Sequence, residues 1–272
     1  MTDHYAVIGN PISHSKSPLI HTEFAQQTEQ DLDYIAREMP LDNLDSGLKQ
    51  LQAEGFKGIN ITVPFKELAW QLVKNKSDHA QRAGAINTIV FNDDGSLYGD
   101  NTDGMGLCRD LTDNNQVELT GKRILLLGAG GAARGVIEPL LSYSPQHLVI
   151  ANRTASKAHD LAKLFNEFGT VSGIGFDEIT GTFDIVINAT SASLHGEVPP
   201  LPDTLLNDNA CCYDMMYSNT DTAFIIWAKQ YGAAKTIDGL GMLVEQAAEA
   251  FRVWRGVKPT TQNIINNIRD VN

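Results

Sequence analysis

The sequence predicts an α/β protein of two domains, the second built on a doubly wound parallel sheet. Three observations carry that prediction. Short apolar runs alternate with helix-like patterns from end to end, the signature of strands joined by helices. The run "RILLLG" (123–128) is continuously apolar, as a parallel strand buried on both faces must be, and a second strand–helix series follows it. The chain has 272 residues, enough for two separate cores.

The elements of the first domain follow in order. "YAVIG" (5–9) is a strand that stops at Gly9-Asn10-Pro11. A helix is expected near Ser17-Pro18, with serine as its cap and proline in its first turn. "DYIAREM" is a strand, and residues 41–54 form a helix with Leu41, Leu44, Leu48 and Leu51 on one face. "GINITV" (58–63) is a strand ended by Pro64, which has no N–H to give to a ladder. "AINTIVF" (85–91), the turn Asp93-Asp94-Gly95-Ser96 and "LYGDN" form a hairpin.

In the second series, a glycine turn and a helix (131–142) follow the first strand. "HLVIAN", a helix (155–168), "FDIVINA" (183–189) and "ACCYDMMY" (210–217) complete it. The stretch "LGMLVEQAAEAFRVW" (240–254) has a wide apolar stripe at helical spacing. We expect it to leave the second domain and pack on the first. The expected domains are 1–100 with 240–272, and 101–239.

The glycine turn reads "GAGGAARG" (128–135), between a strand and a helix. Gly128, Gly130 and Ala133 fit G-x-G-x-x-G/A, so the turn is predicted to bind a dinucleotide. Gly128 permits the tight turn, Gly130 lets the backbone approach a pyrophosphate, and Ala133 permits close helix–strand packing. Gly128, Ala129, Gly130, Gly131 and Ala132 would face that group, where the free N–H groups of the helix start favour an anion. Tight turns also use glycine without any ligand; the context, and a second strand at the right distance, favour the cofactor.

That second strand ends "ANRT". An acid is usual here, holding the adenosine ribose by its hydroxyls; Asn152, Arg153 and Thr154 stand in its place. An acid would repel a ribose 2′-phosphate, whereas the planar fork of arginine pairs with phosphate oxygens and stacks on adenine. Thr154 is placed to cap the next helix and to donate to the same phosphate, and Lys157 adds a point charge one turn on. The alternative is a surface arginine beside an ordinary cap. The expected cofactor is NADP rather than NAD.

Four polar sets lie where strands of the first domain should end, the edge at which open α/β sheets bind ligands. They are "SHSKSP" (13–18), "NITVPFKE" (60–67), "AIN" (85–87) and "DNTDG" (100–104). Ser15 and Ser17 are two hydroxyl donors suited to a carboxylate, though singly each reads as a cap or turn residue. Lys66, just beyond a strand, can transfer protons if a dry cleft holds it; otherwise it is a solvated lysine at a helix start. Asp103 is either its partner or the cap of the helix after residue 102.

Composition bounds the remaining possibilities. Apolar residues make up 42% and charged residues 20%, values of an ordinary globular chain. The formal net charge of −12 repels nucleic acid and anionic membrane, so an anionic ligand needs a local cluster of cations. No window approaches a membrane span, and "MTDHYAVIGN" has no basic-then-apolar leader pattern, so a cytoplasmic protein is expected. Cys108, Cys211 and Cys212 have neither disulfide-framework nor zinc spacing and read as reduced structural thiols. No metal site is expected. Partners should be small molecules, and the protein a monomer or a homodimer.

Taken in order, "GNPISHSKSP", "NITVPFKE", "GAINT", "GDNTDG", "GAGGAARG", "NRT", "INATS", "YDMMY" and "DGLGMLVEQAA" resemble the shikimate dehydrogenase family over essentially the whole chain. The resemblance implies an NADP-dependent reduction of 3-dehydroshikimate in aromatic amino-acid biosynthesis, by two domains closing on a cleft. It implies that Lys66 and Asp103 are the catalytic pair. Ser15 and Ser17 then hold the substrate carboxylate, with Tyr217 near it, and Thr62, Asn87 and Gln246 contact the ring. Met215 and Gly239 match the nicotinamide side, and Asn152, Arg153 and Thr154 the adenosine phosphate, in agreement with the electrostatic reading. Two departures stand out: Ala192-Ser193-Leu194 where glycine often follows "NATS", and Lys157 where arginine is common. The competing readings are a quinate/shikimate dehydrogenase of broader specificity and a non-catalytic NADPH sensor. A sensor has no use for a proton donor, which argues against the latter.

Overall fold

The computed structural model describes residues 2–270. It contains two compact units, one made of the chain up to Gly106 and again from Val244, the other of Leu107–Leu243. Both crossings fall inside helices.

The first unit begins β1 (Asp3–Gly9), α1 (Ser17–Gln27), β2 (Leu32–Glu38), α2 (Leu44–Ala53) and β3 (Phe56–Ile61). It continues α3 (Lys66–Leu72), β4 (Asn75–Lys76), α4 (Asp78–Ala83), β5 (Thr88–Phe91), β6 (Leu97–Asp100) and the start of α5 (Asp103–Arg109). The sheet order is β2-β1-β3-β5-β6-β4, with β5 antiparallel to both of its neighbours and the other pairs parallel. On one face Ala6, Ile8, Ile59 and Ile61 share a core with Leu44, Leu48 and Leu51 of α2. The sheet alternates as a two-faced strand layer should, since Tyr5 and Val7 of β1 pack in a separate cluster with Tyr34.

Three expectations need correction here. Leu41 is not part of α2 and is 63% exposed; Asn43 takes the cap position, so the helix starts one turn later. Ser17 is the first residue of α1 rather than its cap; Lys16 precedes it and makes no side-chain cap, while Pro18 occupies the first turn as proposed. The strand expected at 85–91 begins only at Thr88, which leaves Ala85, Ile86 and Asn87 in the loop before it.

The second unit holds β7 (Arg123–Leu127), α6 (Gly131–Ser142), β8 (His147–Asn152), α7 (Ala155–Phe165) and β9 (Val171–Gly175). Then come β10 (Phe183–Asn188), β11 (Leu206–Asp214), α8 (Ala223–Gln230), β12 (Lys235–Ile237) and the start of α9 (Leu240–Arg255). All six strands are parallel in the order β12-β11-β10-β7-β8-β9, a doubly wound sheet whose order reverses between β7 and β10. Leu125 and Leu127 enter one core cluster and Ile124 and Leu126 another, so β7 is buried on both faces as its unbroken apolar run requires. Cys211 and Cys212 lie in β11 and, like Cys108, are buried free thiols. Burial pushes the Cys108 and Cys211 thiols up to about 12.

The latter part of α9, from Val244, and α10 (Gln262–Asp270) belong to the first unit. Phe251 and Phe24 meet edge-on, and the Trp254 indole donates to Ile89 O at 3.0 Å while lying tilted against Tyr5. Gly58 makes room for that indole: a Cβ there would lie 2.4 Å from Trp254 Nε1. No helix among the described residues is long and apolar enough to cross a membrane.

Candidate active site

In the first unit, four chain segments meet around Asn87. It stands immediately before β5, and β5 runs antiparallel to β3 and β6, so the start of β5 lies beside the carboxyl ends of its neighbours. Thr62 follows β3, and Asn101, Thr102 and Asp103 follow β6. Asn87 Oδ1 accepts from the Thr102 N–H at 2.9 Å, which fixes the amide so that Nδ2 faces the carboxylate. From there it donates to Asp103 Oδ1 at 2.8 Å, to Thr102 Oγ1 at 2.9 Å and to Gln246 Oε1 at 3.3 Å.

Asp103 Oδ2 takes a 2.7 Å hydrogen bond from the Lys66 ammonium, whose side chain is 29% exposed against 10% for Asp103. Lys66 therefore forms an ion pair at the rim of the buried cluster, with its ammonium in reach of a ligand. Pro64 and Phe65 bring it there: β3 ends at Ile61, Phe65 is buried, and α3 starts at Lys66. The Asp103 N–H is itself bonded to Asn101 Oδ1 at 3.1 Å, so the residue opens α5 and is not merely its cap.

The polar network extends behind Asn87 through Asn60, which opens the polar set "NITVPFKE", and on to Tyr34. Asn60 Nδ2 donates to Asn87 O at 3.2 Å and to Thr88 Oγ1 at 3.1 Å, and Tyr34 Oη donates to Asn60 Oδ1 at 2.8 Å. Burial and the neighbouring Ser17 hydroxyl act oppositely on the Tyr34 phenol; burial prevails and raises it well above its ordinary value. Ser17 is buried and Ser15 half-buried, and the Ser17 N–H reaches Ser15 Oγ at 3.3 Å. Thr62 lays its methyl against Gly9, where a Cβ would sit 2.5 Å from Thr62 Cγ2. The place of Asn60 in an otherwise apolar strand, between Ile59 and Ile61, is the signal that it has a buried polar partner.

The second unit carries the rest of the proposed residues, Tyr217 among them. Gly128 follows β7 with φ +109°, and its Cα hydrogen faces the Ala189 carbonyl, so the glycine is required by conformation. Gly130 caps α6 in extended conformation with open space where a Cβ would stand, as a backbone approached by a ligand needs. Gly131 and Ala132 open α6, half-buried Ala129 packs against the core, and Ala133 is fully buried. The turn lies at the point where the strand order reverses. These residues fit a dinucleotide.

Asn152 Nδ2 bonds to Thr154 O at 3.0 Å, and Arg153, Thr154 and Lys157 are exposed. Thr154 holds the cap position of α7 but makes no side-chain cap bond, so its hydroxyl is not engaged in the cap. Met215 donates its N–H to Asn188 O at 2.9 Å, and Gly239 approaches it so closely that a Cβ would lie 2.2 Å from Met215 O. Tyr217 is half-buried, and burial raises its phenol. Among the described residues no cluster of His, Cys, Asp and Glu could hold a metal ion.

Three family descriptions match in succession. Residues 7–89 match the shikimate dehydrogenase substrate binding domain, 110–195 shikimate / quinate 5-dehydrogenase, and 239–266 the shikimate 5′-dehydrogenase C-terminal domain. The shikimate dehydrogenase (NADP(+)) of Aeromonas salmonicida is 55% identical over 98% of this chain and 97% of its own. The chain belongs to the shikimate dehydrogenase family.

Solved structures agree with that membership. A shikimate 5-dehydrogenase from Thermus thermophilus, in complex with NADP(H) and shikimate, has TM-score 0.88 at 32% identity over 100% of both chains. An Ael1 enzyme from Pseudomonas putida has TM-score 0.93 at 47% identity over 98% of both. Within this shikimate dehydrogenase scaffold, the stretch after "NATS" is a 3-10 turn, Ala192–His195, in which the Ser193 hydroxyl donates to Asp214.

Proposed function

We propose that this protein catalyses the reversible NADPH-dependent reduction of 3-dehydroshikimate to shikimate, as a monomer or homodimer in the cytoplasm. The observation that carries the proposal is the Lys66–Asp103 pair at 2.7 Å, held by Asn87 and beside Gln246. NADP, when bound, supplies or accepts the hydride; the glycine turn 128–132, Asn152, Arg153, Thr154, Lys157, Met215 and Gly239 would hold it.

The proton is the work of this chain's own side chains. Reduction of a ketone leaves charge on the carbonyl oxygen, and the Lys66 ammonium neutralises that charge and gives a proton from Nζ. In the oxidative direction the neutral Lys66 amine takes the hydroxyl proton. Asp103 anchors the ammonium by its ion pair, and Asn87 fixes the other carboxylate oxygen, so the ammonium is held in one place. Ser15 and Ser17 hold the substrate carboxylate, and Thr62, Asn87 and Gln246 the ring hydroxyls.

The test is steady-state turnover of shikimate and of quinate, each with NADP and with NAD, for the protein and its Lys66→Ala variant. We expect shikimate with NADP to be strongly preferred, and Lys66→Ala to lower kcat by about 10²–10⁴ with far smaller changes in KM. Asp103→Asn should lower kcat too, and the double change should cost less than the product of the two. Comparable turnover of quinate would favour the broader dehydrogenase. A Lys66→Ala enzyme keeping more than about a tenth of kcat would remove the catalytic assignment.

A further inference from the structure

Asp214 closes β11 with a carboxylate that no solvent reaches, yet nothing in the chemistry above uses it. Four donors converge on it. Oδ2 accepts from Ser193 Oγ at 2.7 Å and from Thr222 Oγ1 at 2.6 Å. Oδ1 accepts from Asn188 Nδ2 at 3.2 Å and from the Met216 N–H at 3.1 Å. Burial raises this carboxyl while all four donors lower it, so the two influences oppose each other.

The donors come from three separate segments. Asn188 ends β10, Ser193 stands in the turn after it, Met216 follows β11, and Thr222 caps α8. Asn188 completes the circuit: its Oδ1 accepts from the Thr190 N–H at 3.1 Å and the Thr190 hydroxyl at 2.7 Å, and its backbone oxygen accepts from Met215. Its amide orientation is thereby set, and Nδ2 can only donate, to Ser193 Oγ and to Asp214. Met215 is held from both ends, by Asn188 at its N–H and by the close approach of Gly239 at its carbonyl.

We propose that Asp214 and Ser193 are positioning residues for the nicotinamide half of NADP, binding the turn after β10 to the segment after β11 so that Met215 and Gly239 keep one geometry. Only an acceptor without a hydrogen can serve four donors at one point, which is why a buried carboxylate stands there. Ser193 belongs to the stretch Ala192-Ser193-Leu194 that departs from the family resemblance, and its hydroxyl supplies the tie that fixes the turn. The inference rests on the reading that Met215 and Gly239 line the nicotinamide side.

Two ligands separate the halves of the cofactor: NADPH, and adenosine 2′,5′-bisphosphate, which has no nicotinamide. Binding of each is measured directly, NADPH by its fluorescence and the bisphosphate by calorimetry, for Ser193→Ala, Asp214→Asn, the double variant and Met215→Ala. Ser193→Ala should weaken NADPH by about five- to tenfold and Asp214→Asn by about tenfold or more, the scale of a lost hydrogen bond to a charged group. The bisphosphate should stay within about twofold, and the double variant should be no weaker than the worse single, because both changes cut the same tie. Unchanged NADPH binding in Ser193→Ala, while Met215→Ala weakens it, overturns the inference alone. Unchanged NADPH binding in Met215→Ala overturns the nicotinamide reading and the inference with it. Equal weakening of both ligands makes Asp214 a support of the whole domain and also overturns it. Should Asp214→Asn fail to fold, the half-buried Ser193→Ala decides by itself.

Discussion

His21 offers a prediction whose size follows from its surroundings. It is fully buried on α1, stacked on Tyr34 with ring centroids 4.1 Å apart and planes 5° from parallel. Trp254, Phe24 and Phe251 complete an aromatic box at 5.4, 5.7 and 6.2 Å. Neither ring nitrogen makes a hydrogen bond within the protein, so a charge there would be poorly compensated. Burial pushes the imidazole down from 6.5 to about 3, and nearby Asn60 pulls it back only in part. The native ring thus stays neutral where the unfolded chain takes up a proton. Stability from this group is complete above pH 6.5 and is lost as the pH falls from 6.5 toward about 3. At pH 5 the unfolded histidine lies about one and a half pH units below its midpoint, and at about 1.4 kcal/mol per unit the loss is about 2 kcal/mol.

The perturbation is His21→Phe, which keeps an aromatic ring and removes the titration. Urea unfolding at pH 7.5 and at pH 5, followed by tryptophan fluorescence with Trp254 as the local reporter, gives the stability difference between the two proteins. That difference should move in favour of the variant by about 2 kcal/mol between the two pH values. In the native protein the His21 carbon-bound protons should show no titration in NMR spectra down to pH 4.5. A stability difference that does not change with pH, or a titration near the ordinary histidine value, would refute the assignment. Because Tyr34 links this box to Asn60 and so to Asn87, acid unfolding here should take the Lys66–Asp103 site with it.

Two further outcomes test the ligand contacts. Arg153→Ala should raise KM for NADP by about ten- to a hundredfold, the scale of a charge-assisted phosphate contact, while use of NAD changes little; equal loss with both cofactors would show that Arg153 holds the loop. Replacing Ser15 and Ser17 together by alanine should raise KM for shikimate and leave NADP binding intact, and an unchanged KM would take both out of the substrate site.

Much of the fold was legible because long periodic runs leave little choice. The helix expected at 131–142 is α6 to the residue, since the glycine turn marks its start and the apolar spacing its length. Leu41 continues the leucine spacing of α2, yet the helix begins only at Leu44, after Asn43, which holds the cap position without a side-chain capping bond. β9 was missed because "VSGIG" is poor in strand formers. The structure gives the reason for its glycine: a Cβ at Gly173 would lie 2.2 Å from the Ala158 carbonyl, so α7 packs directly on the strand backbone there. Propensity argued against the strand, and close packing required it.

The candidate site divides along the same line. Residues in contiguous motifs at strand ends, such as Lys66 and Asp103, could be named from sequence because the topology of a parallel sheet delivers strand ends to one edge. Tyr34, and the roles of Asn60 and Asp214 within "NITVPFKE" and "YDMMY", could not, since their function lies in whom they bond, and their partners are scattered along the chain. Asp214 shows how such a residue is nonetheless constrained. Its four donors lie at positions 188, 193, 216 and 222, and each donor keeps its hydrogen only if the atom they meet has none to offer. An asparagine would present its own N–H to at least one of them, and an apolar residue would leave the buried donors of Asn188 and Thr222 without this acceptor. The carboxylate follows from that geometry, and so does the serine: once Asn188 must donate to Asp214, a hydroxyl at 193 can both accept from Asn188 and donate to the acid, which glycine cannot. The turn after β10 is thus tied to the end of β11 by a side-chain bond, from Ser193 to Asp214.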